Sequence, residues 1–183
     1  MRTSPLDERA SASRAQSGAK AAAREEYLAA GTFGAQLDAM DTHIYRCAAC
    51  GGMNRVPTSR LNQAPNCGRC KKRLALENAP FDVDDAGLAT LVAKSPVPVL
   101  VDFWAPWCAP CRAVAPHLVQ LGQRKAGRML IAKINTQNHP RTAAALQVKA
   151  IPTLAIWKGG HVVEQQAGAR MGLQLDELVD PYL

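Results

Sequence analysis

Six cysteines stand in this chain as three Cys-x-x-Cys pairs: Cys47/Cys50, Cys67/Cys70 and Cys108/Cys111. Such a pair can hold half a metal site, close a structural disulfide, or exchange electrons with another disulfide. The third pair has a context that favours exchange. It follows an apolar run, Val97 to Phe103, that reads as a buried strand, then a proline-containing turn, and a helical pattern starts at the cysteines. Cys108 therefore falls in the first turn of a helix and Cys111 one turn further in. The first N–H groups of a helix have no internal partner, and the helix dipole is positive there. A thiolate at that end is stabilised, so a nucleophile exists at neutral pH. A second thiol one turn away can attack the resulting mixed disulfide and release the product. The expected roles are Cys108 as attacking thiolate and Cys111 as resolving thiol.

The first two pairs read differently. Sixteen residues separate Cys50 from Cys67, which fits a zinc-site spacing in which each pair forms a knuckle aiming two sulfurs at one point. Cys47, Cys50, Cys67 and Cys70 would complete a tetrahedral site with no open position, hence one structural zinc. Gly51-Gly52 and Gly68 are expected to supply the turns. Large apolar residues are few here (Ile44, Tyr45, Met53, Val56, Leu61), and so small a module needs a metal or disulfide staple. The other readings are two disulfides or a second redox pair. Against the latter, neither leading cysteine follows an evident buried strand into a helix.

The elements that must position these groups can be read along the chain. Residues 1–41, rich in Ala, Ser, Arg and Gly, carry too little apolar surface for a core. They are expected to be a mobile tail with one helix-prone piece, Ala19 to Ala30. Alternatively they are a mis-called extension, with Met40 the natural start; a transit peptide fits less well, since acids lie among the basic residues. The zinc-binding module spans 42–75 and a linker 76–80. From 81 to 183 the pattern is βαβαβαββα. Phe81-Asp82-Val83 is a short strand. Asp84 or Asp85 caps a helix presenting Leu88, Leu91 and Val92. Val99 to Phe103 is the central strand, apolar on both faces as a covered parallel strand should be. The cysteine helix runs to about Arg124, with Pro116 expected to kink it. Met129 to Asn135 is the next strand, and Pro140 opens a helix through Leu146. Thr153 to Trp157 and His161 to Gln166 form a hairpin, and a last helix holds Leu175, Leu178 and Val179. Asp102 lies inside the apolar central strand. Desolvation should raise its pKa, and its place beside the cysteine turn suggests a proton acceptor for Cys111 during resolution.

The net charge of +7 is uneven: residues 41–79 carry seven basic and two acidic side chains, +5, whereas 80–183 carry only +2. A nucleic-acid surface is one reading. Compensation of four thiolates is the other, and it is preferred because the segment lacks an aromatic stacking stripe. His43, His117, His139 and His161 have no triad context and are expected to be surface or packing residues. No charged n-region precedes an apolar h-region, and no apolar run reaches membrane-spanning length. A reducing cytoplasm, where Cys-x-x-Cys pairs bind metal or catalyse, fits this cysteine usage.

The run Asp102-Phe103-Trp104-Ala105-Pro106-Trp107-Cys108-Ala109-Pro110-Cys111 resembles the active-site segment of the thioredoxin family, usually Trp-Cys-Gly-Pro-Cys. Ala109 stands where the family has glycine, at a position that tunes the redox potential. The resemblance covers about residues 80–183. With the two knuckles included it extends over 42–183 to the zinc-containing thioredoxin 2 group of bacteria. It implies an α/β thioredoxin fold, a central mixed sheet flanked by helices, preceded by a small four-cysteine zinc module. It also implies a redox-active Cys108–Cys111 disulfide, Asp102 as proton acceptor and Lys133 near it. Pro152 would be a cis-proline facing the cysteines, with Ile151 before it offering backbone to an extended substrate. Trp107 would be a flat contact surface, and Gly168 would keep the docking groove open. The implied activity is protein-disulfide reduction, recycled by thioredoxin reductase, with no nucleotide bound directly and the protein monomeric. A disulfide oxidase or isomerase, or a zinc-module binding protein with an attached redox domain, are the alternatives.

Overall fold

A computed structural model describes residues 42–183; the expectations for residues 1–41 lie outside the described residues. Residues 42–183 form one compact unit. Two strands, β1 (Thr42–Arg46) and β2 (Met53–Pro57), make an antiparallel hairpin that carries the first cysteine pair in its turn. A strand thus does precede Cys47, but it leads into a turn rather than a helix. A 3-10 helix (Thr58–Gln63), absent from the sequence reading, and the second cysteine loop complete the module.

The larger part follows the expected order. It comprises β3 (Phe81–Val83), α1 (Asp85–Lys94), β4 (Val99–Trp104), α2 (Ala109–Arg124), β5 (Leu130–Asn135), α3 (Pro140–Ala145), β6 (Thr153–Lys158), β7 (His161–Ala167) and α4 (Leu173–Val179). A 3-10 turn at Asp180–Tyr182, containing Pro181, follows α4. The sheet order is β3-β5-β4-β6-β7. Strands β3, β5 and β4 are parallel, while β6 and β7 are antiparallel additions. The parallel strands therefore share one C-terminal edge, where the loop after β4 delivers the cysteines.

Alternation along the strands sorts the core into two layers. Val99, Val101 and Phe103 of β4 pack with Leu88 and Leu91 of α1 and Ala143 of α3. Leu100, on the opposite face, packs with Val114, Leu118 and Leu121 of α2 and Leu175 and Val179 of α4. Asp102 has the parity of Leu100, so it faces α2. Helix α1 starts where Asp84 Oδ1 accepts the Gly87 N–H at 2.6 Å, the cap its sequence predicts. Pro116 lies inside α2.

The module is docked on this domain rather than tethered to it. The Ile44 N–H donates to the Gly127 carbonyl at 2.8 Å. Gly127 has φ +76°, and an added Cβ would lie 2.3 Å from the His43 Cβ, so glycine is required twice over. The Arg46 guanidinium stacks 4.2 Å over the Phe81 ring, and Met53 packs on the domain's core instead of its own module's. Residues 76–80 are not a loose spacer. The buried Asn78 amide donates to the Met129 carbonyl at 3.0 Å and the Gly122 carbonyl at 3.3 Å.

Candidate active site and metal centre

Cys108 is the N-cap of α2, held there by the turn that ends β4. Its Sγ accepts the Cys111 backbone N–H at 3.2 Å. One of the orphan donors at the helix start is thus spent on this sulfur, which is the interaction that stabilises a thiolate. Cys108 and Cys111 are joined as a disulfide. Both residues are buried, 3% and 2% exposed, so exposure does not distinguish attacking from resolving sulfur. The hydrogen bond and the helix end set the Cys108 sulfur apart from that of Cys111. Arg112 braces the loop by donating to the Pro106 carbonyl at 2.8 Å; the sequence reading did not single it out, since a charged residue in a helix's first turns carries no distinctive signal.

Around the disulfide, Trp107 is 69% exposed, an apolar plate standing in solvent beside Cys108. The Ile151 carbonyl oxygen lies 3.7 Å from Cys108 Sγ, and the Ile151–Pro152 bond is cis. Thr153 is buried and donates to the Ala150 carbonyl, which ties down the turn before the proline. The Gly168 N–H donates to the Pro152 carbonyl at 2.8 Å. Gly168 has φ +96°, and a Cβ there would meet nothing within 4 Å. Backbone conformation thus requires the glycine, and open space lies before it. Trp104 packs against the cysteine cluster, with its indole N–H buried and unpartnered.

Asp102 is 1% exposed, and neither carboxylate oxygen has a hydrogen-bond partner. Burial pushes its pKa up to about 7; Lys133 pulls it down and Asp82 pushes it up. Lys133 is paired with Asp102 in strand register. Its ammonium, however, pairs with Asp82 at 3.8 Å and lies 4.3 Å from the centre of the Trp104 ring. Asp82 was read only as part of a strand; its place beside Lys133 depends on a parallel register that no local pattern shows.

The other four cysteines converge, their sulfurs all within 4.8 Å of one another. Cys47 and Cys70 sulfurs are 3.6 Å apart, and Cys50 and Cys67 sulfurs 3.7 Å. These separations are too long for disulfides. They match the ~3.8 Å edge of a tetrahedron with Zn–S bonds of ~2.3 Å. The electrostatics also fit a cation. The Cys70 N–H and other donors draw the Cys67 thiol down to about 6. The Lys72 N–H pulls on Cys70, but burial and the three neighbouring sulfurs push it up to about 11. Four such thiols resist ionising together unless a positive charge sits between them. The turns are built by Gly51 at φ +70° and, in the second knuckle, by Lys71 at φ +65°. Gly68 lies in the turn within the second knuckle, and Lys71 takes the left-handed position that follows it. Lys71 tolerates the left-handed conformation while its ammonium donates to the Gly68 carbonyl at 2.9 Å.

His43 packs against the turn at Ala126–Gly127 and meets Thr58 Oγ1 at 2.9 Å. His139 caps α3 through its backbone alone, and His161 is exposed. His117 is half-buried on α2 with Nδ1 unpartnered. None of the four stands among the clustered cysteine ligands. Among the described residues no helix is long and apolar enough to cross a membrane.

Comparison with known proteins matches the same two regions. Residues 80–180 match the family model for thioredoxin, and residues 46–72 match the zinc-ribbon model described as thioredoxin 2, N-terminal. Thioredoxin C-3 of Corynebacterium nephridii is 38% identical over 140 residues, 76% of this chain and 95% of the relative. A thioredoxin of Synechocystis is 44% identical over 106 residues, 58% of this chain and 99% of its own. Among solved structures, a mutant thioredoxin from Halobacterium salinarum superposes with a TM-score of 0.54 at 28% identity, covering 59% of this chain and 94% of that one.

Proposed function

The chain belongs to the thioredoxin family and is a dithiol–disulfide oxidoreductase, and on that premise we propose that it reduces protein disulfides, with Cys108 attacking and Cys111 resolving. The observation that carries this reading is the Cys108 sulfur capping α2 and accepting the Cys111 N–H. In the reduced protein the Cys108 thiolate attacks one sulfur of a substrate disulfide. A Cys108–substrate bond forms, the substrate S–S bond breaks, and the departing sulfur leaves as a thiolate. Cys111 then gives its proton to Asp102 and attacks the Cys108 sulfur. The intramolecular disulfide forms, the second substrate thiolate departs, and two electrons have passed to substrate. A carboxylate with a pKa of about 7 suits this transfer, because it can both take and return a proton near neutral pH. Lys133 lies near Asp102 and influences its charge.

Trp107 adjoins Cys108 in the chain, the Ile151 carbonyl lies 3.7 Å from its sulfur, and Gly168 bonds to Pro152; these four residues would contact the substrate. The Ile151 backbone would meet an extended peptide as an added strand does. Thioredoxin reductase, drawing on NADPH, returns the two electrons, so the protein itself need bind no nucleotide. Cys47, Cys50, Cys67 and Cys70 would hold one zinc ion. With all four positions filled by sulfur, such an ion supplies folding energy to residues 42–75 and no reactive position. We place the protein in the reducing cytoplasm as a monomer that acts on protein disulfides rather than nucleic acid.

The test is turnover of insulin disulfides with NADPH and thioredoxin reductase. Wild type is expected to turn over and Cys108→Ser to be inactive. Cys111→Ser should accumulate a mixed disulfide visible on a non-reducing gel. Turnover that survives Cys108→Ser would place the nucleophile elsewhere. An inactive but folded wild type would remove the reductase reading.

A further inference from the structure

Strand register sets three charged side chains in one row. Asp82 of β3, Lys133 of β5 and Asp102 of β4 are successive register partners. Parallel partners point to the same face, and neighbouring strands are about 4.8 Å apart. Lys133 is therefore flanked by a carboxylate on each side, and the two compete for one ammonium. Asp82 holds it at 3.8 Å, with the Trp104 ring as a second anchor. Asp102 is left with neither oxygen hydrogen-bonded. The competitors differ in environment. Asp102 is sealed in the core, whereas Asp82 lies on the edge strand and lines an open cavity of about 610 Å³ with Trp104, Asn135 and His139.

We propose that Asp82 is a positioning residue of this site: it holds the Lys133 ammonium away from Asp102 and so keeps Asp102 free to take up and release a proton. The proposal rests on the reading of Asp102 as the proton acceptor. A buried carboxylate closed on an ammonium is held ionised and becomes a poor base for a thiol. Removing the Asp82 charge releases Lys133 toward the one carboxylate left in the row. Lys133 favours the Asp102 anion and Asp82 opposes it; direct repulsion by Asp82 has the same sign, and the Lys133→Met background separates the two. Arg46, Asp84 and His139 line the same cavity as Asp82, but among the described residues Asp82 is the carboxylate that pairs with Lys133. Strand β6 sets the apolar Leu154 beside Asp102. Helix α2, over the same face, brings Cys108, Cys111 and the half-buried His117. On α4, Asp176 is engaged by Arg124 and Lys125.

The experiment is a carbon NMR titration of the Asp102 carboxyl in the oxidised full chain. Wild type is compared with Asp82→Asn, Asp82→Glu, Lys133→Met and the double variant Asp82→Asn/Lys133→Met. Asp82→Asn is expected to lower the Asp102 midpoint by about one pH unit, the lower end of what a nearby opposite charge does. Asp82→Glu should stay near wild type. In the Lys133→Met background the Asp82→Asn shift should largely vanish, because the lysine through which Asp82 acts is gone. An unmoved midpoint in Asp82→Asn overturns the proposal. So does an equal shift with and without Lys133, which would mean simple repulsion through space. Insulin reduction from pH 5.5 to 8.5 separates the two levels of the argument. An unchanged rate in Asp102→Asn would end the proton-acceptor reading, while the titration would still decide whether Asp82 positions Lys133.

Discussion

Replacing Asp102 with asparagine should stabilise the oxidised protein more at alkaline pH than at acid pH. Asp102 titrates at about 7 in the folded chain against an ordinary value of 3.8. Between those values the native state binds a proton that the unfolded chain has released, so wild-type stability falls as pH rises through the window. Above pH 7 both states are ionised and the loss is complete. The difference of about three units corresponds to roughly 4 kcal/mol, at about 1.4 kcal/mol per unit. At pH 5.5 only the part accumulated above 3.8 has been lost, about 2 kcal/mol. Asp102→Asn has no such penalty. Its stability relative to wild type should therefore grow by about 2 kcal/mol between pH 5.5 and 8.5, whatever constant offset the buried amide introduces. Urea denaturation of both oxidised proteins at the two pH values measures this difference, in which any pH dependence of the zinc module cancels. A difference that stays constant to within about 0.5 kcal/mol would show that Asp102 ionises in the folded state as it does in the unfolded chain.

Two further outcomes test the frame around the site. The purified chain should contain one zinc, and a strong chelator should release it. The Ile44 amide, bonded to the Gly127 carbonyl, should then lose its protection from hydrogen exchange; four reduced thiols with no bound metal would refute the metal centre. Asn78→Ala leaves two carbonyls, those of Gly122 and Met129, without their buried partner. Urea denaturation should show a loss of about 2–4 kcal/mol, and a loss below about 0.5 kcal/mol would mean that Asn78 does not fasten residues 76–80 to the domain.

Much of the domain was legible because its signals are local. The run Val99–Trp104 is continuously apolar except at Asp102, and it is the central strand. Asp84 caps α1, Pro140 opens α3, and Gly159–Gly160 turn the β6–β7 hairpin at positive φ, each through the conformation its own residue type favours. The cysteine spacing separated a metal centre from a redox pair for the same reason: two intervening residues build a knuckle or a helical turn according to what flanks them. Within the knuckles the residue types located the turns but not every left-handed position, since Lys71 takes the one after the second knuckle.

The tertiary structure decided what depends on residues distant in sequence. Asn78 finds its partners at Gly122 and Met129 only because the chain returns over the end of α2. Met53 leaves its own module to pack against the domain's core, and His43 requires glycine at 127, neither of which composition can express. Asp102 could be read as buried from its neighbours in the strand. Whether Lys133 would pair with it could not, because the competing carboxylate arrives from β3, fifty-one residues before the lysine. Residue types and spacing therefore determined which chemistry this chain carries. Strand register, which sets side by side charges that no local pattern relates, decided how that chemistry is tuned.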